Sequence, residues 1–188
     1  MSARAAAFEA VKKQAVRLEH SPYSASRTFN NIALYLLLAD RDISSAKLDA
    51  LTHPDPWRRS LATRTILLVV HEWDVDKVTG HQLRNAMEQV EIPDELRREV
   101  VSALRGIRSA QERARKAFKA LRNATIAHRD PDALAQYRAI RDVRTDRVME
   151  IVADFYASSQ RFIALLPRLI VIGSDVGALL RQFLSKDR

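Results

Sequence analysis

The sequence predicts an all-α helical bundle, and three observations carry that prediction. Only four glycines and six prolines punctuate 188 residues, too few for the many turns of a sheet protein. Runs of β-branched residues are scarce, whereas apolar residues recur at threes and fours, the period of an amphipathic helix. Hydrophobic residues make up 47% of the chain, enough to give one domain of this length a core.

The first helix is expected from Ser2 to about Glu19. Ser21-Pro22 ends it, because the residue before a proline is pushed out of the helical region. A second helix covers Ser26 to Ala39, with Phe29, Ile32, Ala33, Leu36 and Leu37 on one face. Asp40-Arg41-Asp42 reads as a turn, after which Ser44 or Ser45 caps a short helix to Leu51. Thr52-His53-Pro54-Asp55-Pro56 is the next break. Asp55 is an N-cap and Pro56 takes the first helical position, where a missing N–H costs nothing. That helix reaches Val70 or His71. Another starts at Asp74 or Asp76 and runs to about Val90, weakened near its start by Gly80. Ile92-Pro93-Asp94 then punctuates the chain.

From Asp94 to His128 there is no proline, and Gly106 is the one glycine. Leu96, Val100, Leu104, Ile107, Ala114, Phe118, Leu121 and Thr125 line one side, with Gln111 among them, and a straight helix of this length spans about 50 Å. Asp130-Pro131 stops it, and Asp130 caps the segment that follows. Asp142 to Asp146 reads either as a polar link or as a helical continuation. The last long helix begins near Thr145 and reaches about Leu166, with Val148, Ile151, Val152, Phe155, Phe162 and Leu165 facing inward. Pro167 kinks or ends it, and Leu169 to Leu184 makes a final helix. With no internal repeat and no long linker, the expectation is one domain over 1–188. Its N-terminal helices occupy 1–92, and the long motif-bearing helix and C-terminal helices occupy 93–188.

The net charge is +8, and its placement is uneven. Residues 97–147 hold 14 lysines or arginines against six acidic residues, while the remainder is balanced at 17 of each. A positive field over that segment concentrates polyanions. The absence of cysteine excludes disulfides and thiolate metal sites. No export signal is visible, and the most apolar stretches, Ile66 to Val70 and Ile163 to Ile172, are too short to span a bilayer. The expectation is a soluble, cytoplasmic protein without membrane contact.

Within the basic segment stands Arg122-Asn123-Ala124-Thr125-Ile126-Ala127-His128. Arginine offers a permanent charge in a planar fork that fits phosphate. Histidine gives and takes a proton near neutral pH. Positions 122 and 128 are about 120° apart around an ideal helix. They meet only if the helix end distorts, if arginine reaches round, or if two antiparallel copies merge their pairs across a two-fold axis. The partial negative charge of a helix C-terminus favours protonated imidazole, which suits general acid work at a leaving oxygen. The chemistry that fits is RNA cleavage without a metal. His128 assists proton transfer at the 2′-hydroxyl or the departing 5′-oxygen, Arg122 stabilises the pentacovalent phosphorus, and Asn123 orients the phosphate or the imidazole. Lys116, Lys119 and Arg129 flank the motif as RNA-binding cations. No histidine and carboxylate cluster reads as a metal site, and no cofactor is expected.

These residues resemble the HEPN superfamily, whose signature is an arginine, an adjoining polar residue, and a histidine after four to six intervening positions. Leu121-Arg122-Asn123-Ala124-Thr125-Ile126-Ala127-His128-Arg129-Asp130 is similar to the corresponding stretch of the branch associated with abortive phage infection. The motif match covers about ten residues, and the helical layout matches loosely over about the last hundred. The resemblance implies an antiparallel, up-and-down four-helix core with extra helices, a homodimer, and a metal-independent endoribonuclease with one composite cleft. Arg122 and His128 would be catalytic and Asn123 supporting. It also implies a defence or toxin–antitoxin setting, with an antitoxin or nucleotidyltransferase-type protein as a possible partner.

Blander readings stand beside this one. The family also includes non-catalytic RNA- or protein-binding modules, and a purely structural bundle would carry the same basic surface. Arg122 could bridge to a carboxylate such as Asp154 while His128 caps the helix end. Arg64 and His71 have the same kind of spacing, but they enclose an almost wholly apolar run and read as the edges of a buried helix. Trp57 and Trp73 read as core or hinge anchors rather than as base-stacking platforms.

Overall fold

The computed structural model describes residues 3–73, 75–122 and 132–185; the side chains at 3, 4, 75, 117, 118 and 120–122 lie outside that description. The protein is an all-α helical bundle, with no strand among the described residues. Among the described residues eight helices follow one another: α1 (Ala3–Leu18), α2 (Ser24–Thr52), α3 (Pro56–Glu72), α4 (Val75–Gln89), α5 (Asp94–Arg122), α6 (Ala133–Arg141), α7 (Thr145–Gly173) and α8 (Val176–Leu184). No single one is long and apolar enough to cross a membrane.

The chain forms two compact units. One comprises Met1–Leu38, Asp74–Arg105 and Ser159–Arg188, and the other Ala39–Trp73 and Gly106–Ser158. In the first unit Phe29, Ile32, Leu36, Leu83, Leu96, Phe162 and Leu169 are all but fully buried. Ile43, Ile66, Leu67, Val70, Trp73, Ile107 and Phe155 form the core of the second.

Several boundaries match the sequence expectation for the predicted reason. Asp55 caps α3 by accepting from the Trp57 N–H at 2.9 Å, and Pro56 fills its first turn. Gly80 has non-helical backbone angles, so α4 is two pieces joined at that residue. After α4 the chain closes with an Ile92 N–H donating to the Met87 carbonyl at 2.9 Å, and Glu91 takes the left-handed φ of 56° that this closure needs.

Others differ. α2 is one unbroken helix rather than two, because the buried stripe Leu36, Ala39 and Ile43 keeps helical spacing straight through Asp40-Arg41-Asp42. Aspartate carries only a modest helix penalty, and packing overrides it. The real stop is His53-Pro54, where the Arg59 guanidinium donates to the His53 carbonyl at 2.7 Å. Likewise α7 runs through Pro167 to Gly173. Leu165, Leu166 and Leu169, all buried, hold the turn that the missing proline N–H weakens. α8 leaves at 75° only at Val176, capped by Asp175, so Leu169 to Gly173 belong to α7. The cap of α6 is Asp132, which accepts from Leu134 and Ala135, both at 3.0 Å; the expected cap, Asp130, lies outside the described residues. Asp142 closes α6 and Thr145 opens α7, so residues 142–144 are a link and Thr145 and Asp146 already belong to α7.

Gln182 ties three helix ends of the first unit together. Exposed by only 1%, it accepts from the Ser26 N–H at 3.0 Å and donates to the Gly173 and Ala178 carbonyls at 2.9 and 3.2 Å. Ser26 is in the first turn of α2, where N–H groups have no partner within the helix. A residue 156 positions away thus serves as its cap. Gln182→Leu fills the same space but strands that N–H, and urea unfolding should show a loss of about 2–3 kcal/mol.

Gly106 in α5 leads to the opposite expectation. An added Cβ would lie 3.8 Å from Ser158 Cβ and Oγ, an ordinary contact. Gly106→Ala should raise stability by up to about 1 kcal/mol in the same measurement, through helix propensity alone.

Candidate functional site

The basic segment enters the second unit along α5. Ile107, Ala110, Gln111 and Ala114 are buried at threes and fours, which turns Arg113, Arg115, Lys116 and Lys119 to the exposed side. This division explains why so polar a helix forms: one narrow apolar stripe anchors it, and straight-chain Lys and Arg have good propensity on the rest. Lys116 and Lys119, three positions apart, project from neighbouring points of the exposed surface.

Much of the remaining positive charge is locally matched. Arg113 donates to Ser109 Oγ at 3.0 Å and to Asp154 Oδ2 at 3.2 Å. Arg141 lies against Asp142, Arg144 against Asp146 and Arg147 against Glu150. The Arg144 hydrogen bond holds the Asp146 carboxyl below the ordinary carboxylate range. These are exposed pairs worth little to stability, but they reduce the outward field of α6 and of the start of α7.

Arg122 is the last residue of α5, so the helix carries the chain up to the motif. The Arg122 side chain, Asn123, His128 and Arg129 lie outside the described residues. Asp154, the carboxylate that a structural role for Arg122 invoked, is paired with Arg113.

The second arginine–histidine pair differs from its expected place. Arg64 is not at an edge. It is 7% exposed, its Nε donates to the Ser60 carbonyl at 3.3 Å, and burial pushes its pKa down. His71 is half-buried with Nδ1 3.3 Å from the Glu72 carboxylate. Ile66, Leu67 and Val70, which lie between the two in α3, are all buried. Among the described residues no three histidine or acidic side chains cluster as metal ligands would.

The tryptophans part company. Trp73 is a core residue, 3% exposed and edge-on to Phe155 with ring centroids 5.3 Å apart. Trp57 is 50% exposed, which corrects its assignment as a core anchor. Its position gave a usable signal: a residue in the first turn after Asp55-Pro56, followed by Arg58-Arg59, has little chain around it. An open groove of about 1030 Å³ in the first unit, with Arg27, Asn31, Gln82, Asn85 and Gln89 on its walls, was not foreseen. Arg122, at the end of α5, belongs to the other unit.

Comparison with protein-family models, curated proteins and solved structures gave no match. The likeness to HEPN proteins rests on the Leu121–Asp130 stretch and the helical layout.

Proposed function

We propose that this chain is a metal-independent endoribonuclease of the HEPN kind, acting on RNA as a homodimer whose two Arg122–His128 pairs share one cleft. The 2′-oxygen forms a bond to phosphorus as its proton leaves to a base. The bond from phosphorus to the 5′-oxygen breaks, and protonated His128 supplies the proton that this oxygen takes up. Arg122 balances the charge on the phosphorane, and Asn123 holds the phosphate or the imidazole in register. Lys116, Lys119 and Arg129 hold neighbouring phosphates. A role in phage defence or toxin–antitoxin pairing, with an antitoxin or nucleotidyltransferase-type partner, follows from the resemblance alone.

The observation that carries this reading is Arg122-Asn123-x4-His128 in the most basic part of the chain, directly following a helix whose exposed side bears Lys116 and Lys119. The test is digestion of single-stranded RNA in EDTA, with the new ends examined for a 2′,3′-cyclic phosphate and a free 5′-hydroxyl. RNA that is bound but left intact would replace the enzyme with the binding-module reading.

A further inference from the structure

Trp57 is the largest kind of apolar side chain, yet it keeps half of its surface in solvent. It is nevertheless held. Its backbone N–H donates to Asp55, which fixes the start of the helix, and the Arg64 guanidinium carbon lies 5.9 Å from the indole centroid, within cation–π range. Arg64 is itself immobilised by burial and by the Ser60 carbonyl, and among the described residues no carboxylate is paired with it. A buried arginine therefore braces an exposed ring. Arg59 is committed to the His53 and Pro54 carbonyls, whereas Arg58 is exposed beside His53, its Nη1 3.5 Å from the ring Nε2. The result is an exposed ring backed by a buried arginine, with the exposed Arg58 next to it in the chain.

The occupant follows from charge. A second copy of this chain would bring the same cations, and like charges facing each other disfavour that contact. An apolar peptide would gain nothing from Arg58. An unpaired nucleobase suits the ring and its adjoining phosphate suits the arginine, the combination by which single strands are bound without reading sequence. We propose that Trp57 is a stacking platform for one unpaired base of single-stranded RNA, with Arg58 on the neighbouring phosphate. This rests on the reading of the protein as RNA-binding, not on cleavage.

The experiment uses a fluorescein-labelled ten-nucleotide oligoadenylate and a duplex of equal length as probes, with protein carrying His128→Ala to prevent cutting. Trp57→Ala should weaken single-strand binding by about 5- to 150-fold, the range for one base–aromatic stack. It should leave duplex binding and the salt dependence unchanged. Trp57→Phe should retain most of the affinity, which separates loss of stacking from loss of fold. In a Trp73→Phe background, where Trp57 is the sole tryptophan, the single strand should quench its fluorescence under excitation selective for tryptophan. Equal binding by Trp57→Ala overturns the platform and leaves the RNA reading standing. No binding to either probe overturns both. Trp57→Ala converting a dimer to a monomer in sedimentation also overturns the platform, because a second copy would then cover the ring.

Discussion

Replacing His128 with alanine should lower RNA cleavage in EDTA by about 10²- to 10⁴-fold, the usual contribution of a positioned general acid or base. Affinity for uncleaved RNA should change little, because the cations expected to hold the strand, among them Lys116 and Lys119 on the exposed side of α5, are untouched. The split between binding and turnover is the informative part. A histidine that merely capped a helix end would lower thermal stability along with activity, and a cleavage rate restored at a lower temperature would reveal it. A residue that moves the proton loses rate at every temperature while the helical signal and melting point stay put. Equal cutting by wild type and His128→Ala would remove the nuclease assignment.

The largest effect on stability is expected at Phe29. It is wholly buried at the start of α2, and its ring carbons lie 3.0 and 3.1 Å from the point where a Cβ on Gly173 would sit. Ring and glycine fit together where α7 ends: the aromatic fills the space that the missing side chain leaves. Phe29→Ala removes the ring and leaves a cavity that the Gly173 backbone has no side chain to fill. The loss should be about 3–5 kcal/mol, a fall of roughly 6–20 °C in melting temperature for a chain of this size. Thermal unfolding followed by circular dichroism measures it. A fall of under 2 °C would mean that the surrounding helices collapse onto the gap.

The fold was legible where local rules decide. Asp55-Pro56 marked a helix start, Gly80 a weakness and Pro93-Asp94 a new beginning, and each stands where turn and cap chemistry put it. Expectation failed where packing outweighs local preference. Asp40-Arg41-Asp42 and Pro167 were read as interruptions, and both lie within continuous helices because buried side chains on either side hold them. Burial also decided the two tryptophans and Arg64, since a single sequence does not say which residues from distant segments enclose them. For the candidate site, the residue types of the Arg122–His128 segment and the sign of the surrounding charge are read from the sequence, and the segment beyond the Arg122 backbone lies outside the described residues. The sequence does not show the local pairing of Arg113, Arg141, Arg144 and Arg147, which depends on which carboxylates the fold brings within reach.

The order of segments within the two units has a practical consequence. Residues of α2, α5 and α7 are divided between them, and the borders at 38/39, 105/106 and 158/159 fall within those helices. Neither half can be expressed as one continuous stretch of gene, and trimming the chain to its motif-bearing portion would strip apolar partners from both. Truncated forms would be expected to aggregate or to be degraded rather than report on activity, so loss-of-function tests belong in point variants of the whole polypeptide.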